Sequence, residues 1–231
     1  MDAAVFPGFD FPLTPDLALL VIDMQPCGVA AEAGLIRAIE AGAPGYTAYL
    51  VERVRDRVIP NLRRLTGAFR RLGRPVYFTA FASLTGDGGD VATSTIRYRD
   101  RQRRARTGAS VVLPRSHPAT DVVPELAPQP GDCVLTKTSM DAFTSTGLAS
   151  ELAARSIRSL VVTGVLTDAC VESSARHAAE LGLEVTVVED ACAAWREEFH
   201  VASLAALSRY FARIASTADV LAELERVVGR P

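Results

Sequence analysis

Cysteine and lysine are scarce in this chain of 231 residues, and each scarcity excludes something. The four cysteines, Cys27, Cys133, Cys170 and Cys192, are widely spaced and form no CxxC pair. A disulfide framework is therefore excluded, and free thiols in a reducing, cytoplasmic compartment are expected. Net charge is only -2, so bulk electrostatics give no footing for nucleic acid or a membrane surface. No apolar run approaches the roughly 18 residues that would span a bilayer. The first 16 residues, broken by Pro7, Gly8, Pro12 and Pro15, lack the basic start and apolar centre of a signal peptide and read as an N-terminal arm. Lysine is the sharpest scarcity: among 25 basic residues only Lys137 is a lysine. A chain that writes arginine everywhere else has kept one compact point charge, as a site too narrow for a planar guanidinium would require.

What is present is ordinary globular usage, 48% hydrophobic and 23% charged, with no internal repeat. The length suits one domain over 1–231. Short apolar runs alternate with helical patterns. Leu17–Ile22 is continuously apolar and reads as a strand buried on both faces. Leu50, Val54, Val58, Leu62, Leu65, Phe69 and Leu72 recur at spacings of three or four, a long helix that Pro60 kinks or starts late and Gly73 ends. Further strands are expected at Pro75–Phe78, Cys133–Thr136, Ser159–Thr163, Glu184–Val188 and Arg213–Ala215. Further helices are expected at Ala169–Leu181, Phe199–Phe211 and Ala218–Val228. Strands separated by helices pair in parallel through right-handed crossovers, so the expected fold is an α/β, three-layer, doubly wound, mainly parallel sheet of six strands. Residues 81–130 stand out as an insertion of weak periodicity that carries an arginine cluster, Arg97, Arg99, Arg101, Arg103, Arg104 and Arg106. Its position suits a lid over the carboxyl edge of the sheet.

That edge is where sites form in such sheets, and three polar groups fall on it. Asp23 follows the first strand, Lys137 the third, and Cys170 opens the helix after the fourth. A thiol at a helix N-terminus is expected to have a lowered pKa and to act as nucleophile, with Asp23 as general base and Lys137 as a second stabilising charge. The plainer alternative is a small core cysteine beside a loop carboxylate. Backbone N–H groups of the turn Gly164-Val-Leu-Thr-Asp-Ala-Cys170 could form an oxyanion hole. The turn is neither a dinucleotide fingerprint nor a P-loop. Cys27, Phe143 and Trp195 could line a pocket, though packing is the commoner fate of such residues. One or two of these arginines, with Arg97 and Arg99 put forward, could clamp a substrate carboxylate, or the cluster could simply be a solvated or subunit-contact face. His177, seven residues past Cys170 and so about 10 Å along the helix, is too far away to be its base. His200 is expected to cap or orient a neighbouring helix.

Leu20-Val-Ile-Asp-Met-Gln25, Lys137-Thr-Ser-Met-Asp-Ala-Phe143, Gly164-Val-Leu-Thr-Asp-Ala-Cys-Val171 and Val188-Glu-Asp-Ala191, in this order, resemble the motifs of the isochorismatase-like cysteine hydrolases. That superfamily includes N-carbamoylsarcosine, biuret and ureidoacrylate amidohydrolases. The resemblance covers most of residues 17 to 220. It implies a 3-2-1-4-5-6 strand order and an Asp–Lys–Cys triad carried by Asp23, Lys137 and Cys170. It also implies a cis peptide at Val165–Leu166 and an oxyanion hole from the N–H groups of Leu166 and Cys170. Family members that hold a metal do so through histidines after the second strand. Phe78-Thr-Ala-Phe-Ala-Ser83 has none, so no metal and no other cofactor is expected. The expected activity is hydrolysis of a C–N bond in a small amide, ureido or carbamoyl compound. The alternatives are vinyl-ether hydrolysis with Asp23 as acid, and a non-catalytic binding member of the fold. A homo-oligomer, dimer or tetramer, is expected, with neither nucleic acid nor membrane as partner.

Overall fold

The computed structural model describes residues 9–108, 110 and 112–228; the first eight residues of the N-terminal arm and positions 109 and 111 of the insertion lie outside that description. Six strands form one parallel sheet: β1 (Leu17–Ile22), β2 (Val76–Phe81), β3 (Cys133–Lys137), β4 (Ser159–Val165), β5 (Glu184–Ala193) and β6 (Arg213–Ala215). Their order is 3-2-1-4-5-6. The first crossover carries α1 (Pro26–Val29), α2 (Gly34–Gly42), α3 (Ala48–Arg53) and α4 (Ile59–Arg71), and the second carries α5 (Ser94–Thr107). The later ones carry α6 (Leu148–Ala154), α7 (Glu172–Glu180) and α8 (Glu197–Tyr210), and α9 (Thr217–Val228) follows β6.

All six side chains of β1 are buried, because each face of the sheet has its own core. Successive strand residues point to opposite faces. Leu17, Leu19 and Val21 pack with Leu62, Leu65 and Phe69 of α4 and Val220 and Leu224 of α9. Ala18, Leu20 and Ile22 pack with Leu148 and Leu152 of α6, Ala175 and Ala178 of α7 and Leu207 of α8. Full burial of one such large aliphatic stabilises by about 1.5–3 kcal/mol. This is why a continuously apolar run, and not an alternating one, marks the central strand.

Most expected elements lie where the patterns put them, with boundaries shifted by a few residues. The long helix around Pro60 is α3 and α4 joined through a π-helical stretch, Val54–Val58. Pro60 falls in the first turn of α4, where its missing N–H would have no partner in any case. β5 runs on to Ala193 because it pairs again past a register shift, Gly164 with Cys192 and Val165 with Ala193. The insertion departs most from expectation: its arginine cluster is a 14-residue helix, α5, ended by left-handed Gly108. With only Ile96, Tyr98 and Ala105 apolar, α5 has no apolar stripe to betray it.

Strand order reverses between β1 and β4, and the backbones touch there. Gly164 adopts φ +105, and a Cβ on it would lie 2.1 Å from the Ile22 carbonyl oxygen. Only glycine fits. The next residue of β1's chain, Asp23, turns sharply out of the strand at φ 51.

Candidate active site

Asp23, Lys137 and Cys170 meet at this switch point. β1 ends at Ile22, so Asp23 projects beyond the sheet edge, where Thr79 of β2 donates its hydroxyl to Asp23 Oδ1 at 2.8 Å. Lys137 is the last residue of β3, two strand spacings away, about 10 Å. Its four-carbon stem bridges much of that distance past Phe81, whose ring lies 5.0 Å from Nζ. The ammonium is fully enclosed. It lies 2.7 Å from Asp23 Oδ2 and donates to the Ser139 and Met140 carbonyls, both at 2.9 Å. Its contact with Cys170 Sγ is 3.3 Å. Acceptors in so many directions suit a point charge and not a planar fork, which accounts for the one lysine in an arginine-rich chain. Burial works against the ammonium, but the charges of Asp23 and an ionised Cys170 outweigh it and hold the Lys137 pKa above its ordinary value.

Cys170 sits in a π-helical turn, Thr167–Val171, that leads into α7. Its residue surface is partly open to a cavity, yet burial is the largest influence on the sulfur and pushes its pKa up to about 12. Lys137 pulls down and Asp23, which also hydrogen-bonds the thiol, pushes up. The expectation of a thiol with a lowered pKa is therefore corrected: desolvation outweighs the pull of Lys137, and the resting group is a neutral thiol between the Asp23 and Lys137 side chains.

Two hydrogen-bonded supports hold the turn. His200 contacts Arg53 through Nε2 at 3.0 Å and Thr167 through Nδ1 at 2.8 Å. Burial, then Arg53, depresses its pKa to about 4, so the ring is neutral. Arginine can only donate, so Nε2 accepts and Nδ1–H donates to the Thr167 hydroxyl. Ser203 donates to the Thr167 carbonyl. Ser174 of α7 donates to the Cys170 carbonyl at 2.6 Å and accepts the Ala142 N–H at 3.0 Å, tying the Cys170 turn to the loop that supplies the Lys137 carbonyls. The Val165–Leu166 peptide before the turn is cis.

Asp23 and Cys170 border a cavity of about 390 Å³, and Lys137 lies enclosed behind them. Cys27, Trp195 and Arg99, singled out in the sequence, line it, as do Val165 and Leu166. Phe81, Ile96 and Arg103, from the insertion expected to cover this edge, line it too, as do Gln25, Met140 and Asp168, whose part in it sequence reasoning missed. Asp23 and Gln25 both follow β1, so the position of Gln25 was a usable signal. Its amide accepts the Phe81 N–H and donates to the Thr120 carbonyl, fastening the insertion to the sheet edge. Two expectations are corrected. Phe143 packs beneath the sheet with its ring 5.1 Å from that of His177, which contacts Asp141 at 3.0 Å. Arg97 is turned to the Val91 and Ala92 carbonyls. Neither lines the cavity. A second hollow of about 400 Å³, bordered by Ala149, Leu152, Ile157 and Leu181, carries no titratable group. Among the described residues no cluster of three or more His, Cys, Asp or Glu could hold a metal ion, and no helix is long and apolar enough to cross a membrane.

Comparison with known proteins agrees with this architecture. The isochorismatase domain family matches residues 17–219. The chain is 31% identical over 207 residues to YecD, an isochorismatase family protein of Escherichia coli O157:H7, covering 88% of this chain and 94% of YecD. It is 31% identical over 185 residues to ureidoacrylate amidohydrolase RutB of Variovorax paradoxus, covering 76% of this chain and 68% of RutB. A crystal structure of a cysteine hydrolase from Pseudomonas syringae pv. phaseolicola superposes with a TM-score of 0.76 at 24% identity, over 96% of this chain and 98% of the other, and so shares the fold.

Proposed function

From the premise that the chain belongs to the isochorismatase family, we propose that it is a cysteine amidohydrolase that cleaves the C–N bond of a small amide, ureido or carbamoyl compound without a metal ion. One observation carries the proposal: the buried Lys137 ammonium bridges the Asp23 carboxylate at 2.7 Å and the Cys170 sulfur at 3.3 Å. A carboxylate, a thiol and a fixed cation in contact can move one proton without changing the net charge of the site.

Asp23 takes the proton from Cys170 as the sulfur attacks the carbonyl carbon, so the costly separate ionisation of a buried thiol is avoided. Negative charge passes to the carbonyl oxygen, which the N–H groups of Leu166 and Cys170 hold. Collapse of the tetrahedral species breaks the C–N bond. The leaving nitrogen takes the proton from Asp23, and a thioester remains on Cys170. Asp23, a carboxylate again, accepts a proton from the attacking water. The acid product then leaves, and the thiol recovers its proton. Lys137 keeps its proton throughout and stabilises whichever partner carries the negative charge.

The relative named a ureidoacrylate amidohydrolase supports the choice of C–N bond. A panel of small amides and ureido acids, scored for ammonia release, tests the class. Cys170→Ala should fold and lose at least about 10³-fold of the rate on any compound turned over, as removal of one member of a catalytic unit does. Full rate in that variant would refute the proposal and favour chemistry with Asp23 as a lone acid, such as vinyl-ether hydrolysis.

A further inference from the structure

The six arginines of α5 are not equivalent. Arg97 is committed to backbone carbonyls, Arg104 pairs with Asp100 at 2.9 Å, and Arg106 reaches Gln102. Arg101 is exposed and does not line the cavity. Arg99 and Arg103 do line it, together with Ile96. These three positions, spaced by three and four, form one stripe of the helix. Among the described residues neither Arg99 nor Arg103 has an ion-pair partner. Six basic side chains on one short helix repel one another, and a free pair held over a cavity is relieved by an anion.

The charge within the cavity limits which anion. Asp23 and Lys137 neutralise each other, and the resting thiol carries no charge. The remaining charged groups of the lining are Arg99 and Arg103, opposed by the carboxyl of Asp168. Two cations against one acid leave an excess of a single positive charge. A guanidinium pair matches a carboxylate through parallel N–H donors, while Asp168 can accept N–H from the nitrogen side of an amide or ureido group and disfavours a second negative charge.

We infer that Arg99 and Arg103 form an anion clamp on the lid helix, and that the substrate is an amide or ureido compound bearing one carboxylate, not a neutral amide. The inference rests on Cys170 being the nucleophile as proposed above, and it assigns to substrate selection the two members of the cluster that both line the cavity and lack an ion-pair partner.

The test needs no substrate. Two alkylating reagents of nearly equal size, anionic iodoacetate and neutral iodoacetamide, are offered separately to the protein. The rate at Cys170 is read by peptide mass spectrometry. The ratio of the two rates is compared with that at a free small-molecule thiol. The clamp predicts that the ratio is raised at Cys170 by at least about fivefold at low salt, and that the gain shrinks as salt screens the arginines. Arg99→Gln and Arg103→Gln each lower the ratio several-fold. Arg101→Gln, which removes the same charge from the same helix outside the cavity, leaves it unchanged. An unaltered ratio, or an equal fall in all three variants, overturns the clamp. Slow alkylation of Cys170 by both reagents with no thioester during turnover would overturn the nucleophile assignment instead, so the two failures are separable.

Discussion

Replacing Lys137 by methionine isolates the electrostatic centre of the site, because methionine keeps a four-atom stem and removes the ammonium with its charge and N–H donors. The ammonium has no exposure and is in contact with Asp23 Oδ2, two carbonyl oxygens and the Cys170 sulfur. Breaking a buried ion pair by removing one partner costs about 3–5 kcal/mol, since the remaining charge is stranded. The orphaned Ser139 and Met140 carbonyls add about 1 kcal/mol each. Lys137→Met should therefore lose about 5 kcal/mol or more. That is much of the 5–15 kcal/mol that holds a typical domain together. Asp23→Asn should strand the ammonium at a similar cost. The double variant Asp23→Asn with Lys137→Met has no unpaired charge and should recover at least about 2 kcal/mol relative to the sum of the singles. Urea denaturation at pH 7 measures all four corners of this cycle. If Lys137→Met proves unfolded, recovery of a cooperative transition in the double variant gives the same answer. Additivity within about 0.5 kcal/mol would refute a mutually dependent pair.

Other consequences concern the backbone and the buried thiols. Gly164→Ala would drive a Cβ into the Ile22 carbonyl and strain a residue at φ +105, for a loss of about 3 kcal/mol or more. Gly182→Ala, at φ +83 with open space around its Cβ, should lose only about 1 kcal/mol. Equal losses in denaturation would contradict the close approach of β1 and β4. Cys192, buried in the core, has its pKa pushed up to about 12 from 9.0 by burial. The unfolded chain releases that proton from about pH 9 while the folded chain keeps it. The thiol's contribution is thus complete below pH 9 and is lost as pH rises towards 12. In Cys192→Ala the alkaline fall of stability should be shallower by about 1.4 kcal/mol per pH unit above pH 9; parallel curves would refute it.

The parts of the fold legible in the sequence were those set by continuous burial. Leu17–Ile22 has to be apolar at every position because two cores claim it, and Gly73 and Gly182 end their helices by positive φ. The meeting of Asp23, Lys137 and Cys170 followed from topology, because three parallel strands end on one edge. Elements that answer to charge or to local hydrogen bonds were not legible. α5 lacks an apolar stripe, so only the structure separates Arg99 and Arg103 from Arg97. Phe143 carries the same aromatic signal whether it faces a cavity or, as here, His177. The direction of the Cys170 shift is not legible in the sequence, because the burial that sets it depends on every element packed around the sulfur.

The central claim is that the sulfur of Cys170 bonds to the substrate carbonyl carbon. Acid quenching during turnover of an ammonia-releasing compound, followed by peptide mass spectrometry, tests it most directly. The account predicts an acyl mass increment on the peptide that contains Cys170, absent from Cys170→Ala and accumulating when water attack is slowed. Steady ammonia release with Cys170 unmodified at every time point would contradict it.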